Sequence, residues 1–239
     1  MLPAYLNETG VGAGIKASGA PREKLYVVTK VVGQHGQDIQ AALATSLEKL
    51  GVDYLDLYLV HIPWSAKSPE ELQRIWAEME AIKASGKARS IGVSNFDVPD
   101  LEVILRTAKT VPAINQIEYH PYRQHEALIP FMREKGIAVA SYSGLSPLTA
   151  ARPGPLDETY AELARKYGVS ESDIAIRWLL DQNVVVITTS SKEERLQGYL
   201  KTLPTFKLAN EDFERITEIG KQKKYKGLGE DFMKQRYCS

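Results

Sequence analysis

The sequence is short of cysteine, of net charge and of long apolar runs, and each shortage excludes something. One of its 239 residues is a cysteine, Cys238, so no disulfide can form within the chain. A lone thiol fits a reducing compartment, and the expectation is a cytoplasmic protein. Lys+Arg and Asp+Glu stand at 30 each. That balance argues against a nucleic-acid binder, which would normally be basic. No apolar stretch is long enough to cross a bilayer, so no membrane partner is expected. Residues 1–15 lack the basic-then-apolar pattern of a secretory signal. No two histidines share a His-x-His spacing, so no metal site is expected.

What is present is an alternation of short apolar runs with helical patterns. Leu55 to His61 is rich in strand formers and runs straight into Ile62-Pro63-Trp64. Leu25 to Lys30 is a second strand, ending in lysine. Further strands are expected at 88–92, 113–118, 137–142 and 184–188. Helices are expected at 8–17, 38–50, 69–85, 98–108, 124–135, 157–167, 172–182, 192–201 and 210–221. Asp38 can cap one helix and Gly51 stop it. Ser170 with Asp173 marks the start of another.

Regular alternation implies parallel strands with right-handed crossovers in a single domain spanning 1–239. Six strands are legible, and a closed (β/α)8 barrel has eight. Two architectures follow: an open doubly wound sheet, or a barrel whose first two units are not in this sequence.

The residues resemble the aldo-keto reductases along nearly the whole chain. Asp53 to His61 looks like that family's histidine-bearing strand. Gly92-Val93-Ser94-Asn95-Phe96 and Asn115-Gln116-Ile117-Glu118-Tyr119-His120-Pro121 are similar to two more of its signatures, and Ile187 to Arg195 resembles its adenosine-phosphate segment. The Thr188-Thr189-Ser190-Ser191 ending looks more like fungal members that reduce dicarbonyls and ketolactones.

The resemblance implies a (β/α)8 barrel that binds NADPH without a glycine-rich dinucleotide motif and reduces small-molecule aldehydes and ketones to alcohols. Tyr5 matches the proton-donor tyrosine, Lys30 the lysine and His61 the histidine of its catalytic tetrad. The tetrad's aspartate stands five residues before the tyrosine, a position that falls before Met1, as do the first two strands. The expectation is therefore a barrel with about six encoded units, and one of two outcomes for its exposed sheet edge: another chain or a rearranged N-terminus covers it, or the protein is poorly stable with little or no reductase activity. By the same resemblance Ser94, Asn95 and Gln116 would hold the nicotinamide carboxamide. Tyr142 would stack on the ring, with Ser143 and Leu145 beside the phosphates. Ser190, Ser191 and Arg195 would surround the adenosine phosphate.

The chemistry accounts for these residue types. Tyrosine, with a pKa of about 10, is a poor acid. A cationic Lys30 would favour its phenolate and ease proton release. His61 would hold the carbonyl oxygen as charge develops. Some positions depart from the family pattern. Thr189 replaces a lysine, Tyr199 an asparagine and Gly198 an acidic residue, yet Arg195 still offers a planar fork for a 2′-phosphate. Ile62 replaces an aromatic, and Trp64 is expected to line the substrate pocket in its place. Residues 225–232 are expected to form a substrate lid.

Blander readings stand beside these. Lys30 alone could be a snorkelling lysine, and Ser94-Asn95 a helix cap. His35, His120 and His125 read as structural or surface residues, and Lys221 to Lys226 as a solvated helix end. Two other functions also fit: a catalytically impaired relic or regulatory subunit of the same fold, and a barrel lyase using Lys30 as a Schiff base. A monomer or weak homo-oligomer is expected.

Overall fold

The computed structural model describes residues 7–227, so Tyr5 and residues 228–232 of the expected lid lie outside the described residues. Six strands and nine α-helices alternate among them. The described residues divide into two compact units, residues 7–115 with 134–137, and residues 116–133 with 138–227.

In the first unit, α1 (Glu8–Ser18), β1 (Val28–Val31), α2 (Ile39–Leu50), β2 (Leu55–Val60), α3 (Pro69–Ala84), β3 (Ala88–Ser94) and α4 (Val98–Leu105) follow in turn. Strands β1, β2 and β3 are parallel neighbours, with Lys30 opposite Leu59 and Leu59 opposite Gly92. Every residue of β2 is buried, as expected of a central parallel strand covered on both faces. Ile39 and Leu43 of α2 and Ile75, Trp76 and Met79 of α3 are buried as well. The Asp38 carboxylate accepts from Ala41 N at 2.9 Å, and Gly51 closes α2 in the left-handed conformation. Gly92 permits a close approach: a side chain there would stand 2.6 Å from the Ile114 carbonyl and 2.8 Å from Leu59.

Strand β4 (Ile114–Glu118) enters the second unit, which holds α5 (Leu128–Glu134), β5 (Ala138–Tyr142), α6 (Asp157–Tyr167), α7 (Glu171–Leu180), β6 (Val185–Val186), α8 (Glu193–Thr202) and α9 (Asn210–Gly220). Strands β5 and β6 pair in parallel. Trp178 stacks on Phe213 and gives its indole N–H to Thr217 at 3.0 Å, so a large buried side chain keeps its polar atom satisfied. Ser170 and Asp173 form the expected capping box of α7.

Several boundaries differ from the sequence reading. Strand β1 starts at Val28, because Arg22–Lys24 form a 3₁₀ turn that uses the backbone groups of Leu25. Leu25 gives its N–H to Arg22 O, and its carbonyl accepts from the Arg22 guanidinium at 2.8 Å. Lys30 is thus the penultimate residue of β1. Helix α5 starts at Leu128, after an antiparallel bridge between His120 and Arg123 and a positive φ at His125. Strand β3 runs on to Ser94, and β6 keeps two residues. The basic run is no simple helix end. Helix α9 stops at Gly220, and Lys223 gives hydrogen bonds to the carbonyls of Ala151 and Pro153.

Candidate active site

His61 follows β2 directly and gives its backbone N–H to Val31 O at 2.7 Å. The strand ladder thus continues one residue past β2 and fixes the histidine at the carboxyl end of a parallel sheet, where such folds place their chemistry. Its side chain is 2% exposed. Burial, and then the Lys30 charge, pull its pKa down to about 3. The imidazole is therefore neutral across ordinary pH and can act as a hydrogen-bonding group, not as a proton reservoir. Lys30, on the adjacent strand, is lowered to about 8 by burial. It remains mostly cationic at neutral pH.

The exit of β3 is tied to the same place. Asn95 gives its amide N–H to the His61 carbonyl at 3.0 Å and to Ser94 Oγ at 3.1 Å. Its φ of 63° is a left-handed conformation that asparagine tolerates better than most residues. Sequence reasoning quoted Asn115 but gave it no role. Asn115 is fully buried, and its amide accepts from Phe96 N at 3.4 Å and donates to Phe96 O at 2.8 Å. It holds the turn that carries Ser94 and Asn95. No local signal set it apart, since Gln116 and Glu118 on the same strand are polar too. Trp64 is half-buried and packs against Val32 and Ile62.

The first unit thus carries Lys30, His61, Ser94 and Asn95, with Trp64 in the turn that follows His61. The second unit carries the other candidates on its strands and in the segments that follow them. Gln116 lies on β4, and Tyr142 ends β5. Ser143 follows with φ 55°, and its carbonyl accepts from Ser146 N at 2.9 Å. Leu145 precedes a 3₁₀ turn at Ser146–Leu148. Beyond β6, Ser190 Oγ accepts from Lys192 N at 3.0 Å at the entry to α8, and Arg195 is exposed in its first turn. Hydroxyls and a guanidinium at the start of a helix form a donor set that fits a phosphate. Tyr199 is buried at 7% exposure, so that position serves packing and offers no ligand group.

The model of the Aldo/keto reductase family matches residues 3–221. A NAD/NADP-dependent indole-3-acetaldehyde reductase of Schizosaccharomyces pombe is 41% identical over 224 residues, covering 91% of this chain and 77% of the relative. A glyoxal reductase of Bacillus subtilis is 37% identical over 224 residues, covering 92% and 77%. The crystal structure of a Bombyx mori aldo-keto reductase in complex with NADP superposes with a TM-score of 0.82 at 34% identity, over 90% of this chain and 75% of that one.

Proposed function

The chain belongs to the aldo/keto reductase family, and from that membership we propose that it reduces aldehydes and ketones, dicarbonyls among them, to alcohols with NADPH in the cytoplasm. The observation that carries the reading is the neutral, buried His61 beside the Lys30 cation at the carboxyl end of neighbouring strands.

When bound, NADPH supplies the hydride that adds to the carbonyl carbon. The chain's own residues manage the oxygen. His61 donates a hydrogen bond to it, and that bond strengthens as negative charge builds there. Tyr5 hands its phenolic proton to the same oxygen. Lys30 stabilises the phenolate left behind, so the proton is easier to give. Ser94, Asn95 and Gln116 would orient the carboxamide, and Tyr142 would stack on the ring. Ser143, Leu145, Ser190, Ser191 and Arg195 would line the phosphate path. Trp64 would bound the substrate side.

The choice of NADPH over NADH rests on Arg195. Arg195→Ala should weaken NADPH by roughly 1–3 kcal/mol, the worth of a charge-assisted hydrogen bond, and leave NADH nearly unchanged. Dissociation constants measured by quenching of protein fluorescence check this. An equal loss for both cofactors would remove Arg195 from the 2′-phosphate site.

A further inference from the structure

The turn after His61 holds a proline where a strand donor is due. In the parallel ladder between β1 and β2, the His61 N–H reaches Val31 O at 2.7 Å. The next position that would face β1 is Pro63, and proline has no N–H to give. Ser65 ends the 3₁₀ turn Pro63–Ser65 and is buried at 7% exposure. Its hydroxyl lies 2.9 Å from the Val32 carbonyl and 3.1 Å from the Ile62 carbonyl, and donates to them. A hydroxyl has one proton, so the two carbonyls share it. One carbonyl follows β1 and the other follows His61, so a single side chain ties two strand exits together.

The setting makes that bond hard to replace. Val32 and Ile62 are buried, and Trp64 packs against them. A carbonyl left unbonded among such side chains costs more than one that water can reach. Gly33 turns the chain with a φ of 74°, and a side chain there would stand 3.6 Å from the Ser65 oxygen. The backbone thus closes over the hydroxyl. Lys30 stands two residues before one bonded carbonyl, and His61 one residue before the other. Their side chains are near enough for the lysine charge to depress the histidine pKa. A second tie joins the β1 exit loop to the first turn of α3 on the outside. There His35 Nδ1 lies 2.6 Å from Glu71 Oε1, but His35 is exposed, and exposed pairs contribute little.

We propose that Ser65 is a positioning residue whose hydroxyl pins the exits of β1 and β2 together and so fixes the spacing of Lys30 and His61. The catalytic consequence rests on the carbonyl-reductase reading. Ser65 acts in this role through the two backbones and not on the reacting atoms. Loss of the pin would let the exits part and water enter between them. A misplacement of about 1 Å at a catalytic group can cost about 10²-fold in rate.

Two full-chain variants grade the donor: Ser65→Cys leaves a weak one and Ser65→Ala none. Carbon NMR of isotope-labelled lysine, without substrate or cofactor, follows the titration of Lys30. Its pKa should climb from about 8 by about one unit or more in Ser65→Ala, as water reaches the ammonium, with Ser65→Cys between. For a dicarbonyl, kcat should fall about tenfold or more in Ser65→Ala, while the NADPH dissociation constant stays within about twofold. His35→Ala cuts the outer tie alone and should leave the Lys30 titration in place and kcat within about twofold. Lower stability in urea with an unmoved Lys30 titration in both Ser65 variants would make the residue merely structural and overturn the pin. The same Lys30 shift in His35→Ala would overturn it too. A wild-type chain without reductase activity would sink the functional reading, and the Lys30 titration would still decide whether Ser65 holds the exits.

Discussion

Lys30→Met should lower carbonyl reduction by roughly 10²–10⁴-fold, the range for loss of acid–base assistance, and should at the same time make the protein more stable. Lys30 lies on β1 in partly buried surroundings that pull its pKa from 10.5 to about 8. A folded-state pKa below the unfolded one means that the unfolded chain binds more protons between about pH 8 and 10.5. Folding stability therefore rises with pH through that window, and the charged form present at neutral pH opposes folding. Methionine keeps the length and removes the charge. A gain of about 1–3 kcal/mol is expected, discounted for the exposure that Lys30 keeps. The wild-type kcat/KM profile should fall as pH rises through about 8, when the Lys30 ammonium is lost. Urea unfolding and a pH–rate profile of the two proteins check both halves. A borohydride-trapped adduct on Lys30, with turnover independent of NADPH, would favour the Schiff-base lyase instead.

His61→Ala should cost about 10²–10³-fold in kcat, as removal of one preorganised donor to a developing oxyanion does. The wild-type profile should show no limb near pH 6–7 from this residue, since burial and Lys30 hold its pKa near 3. That depression also has a stability consequence of definite sign. The unfolded histidine takes up a proton near 6.5 and the folded one only near 3, so stability is full above about 6.5 and is lost as pH falls toward 3. In Lys30→Met the His61 pKa should rise, because one of its two causes is gone. Imidazole carbon shifts measured across pH 3–8 would report it. A His61 titrating near 6.5 in the wild-type chain would mean that the site is wetter than this structure has it.

Much of this was legible in the sequence where local chemistry decides. The helix capped by Asp38 and closed by Gly51, the Ser170–Asp173 box and the wholly buried β2 follow from short-range rules. His61 could be placed at a strand exit because Pro63 cannot continue a ladder. The illegible parts depend on partners far along the chain. The late start of β1 comes from the Arg22 guanidinium and from the Asp56 carboxylate, which takes the Val27 N–H at 2.8 Å. Residues 124–127 have helical composition, yet the His120–Arg123 bridge delays α5. Asn115 and Glu118 looked like motif letters; their work lies in bonds to Phe96 and to Gly227. The lysine-rich end read as solvated because nothing local shows that Lys223 meets carbonyls some 70 residues earlier.

The central claim is that this chain moves a hydride from NADPH to a carbonyl carbon while Tyr5 protonates the oxygen. Its most direct test is turnover of phenylglyoxal with NADPH deuterated at the transferring face of C4, in wild-type and Tyr5→Phe proteins. The account predicts an alcohol carrying deuterium on the carbinol carbon from the wild type. For Tyr5→Phe it predicts no detectable product, although that variant still binds NADPH. Contradiction would be an alcohol without deuterium, or equal turnover by the two proteins.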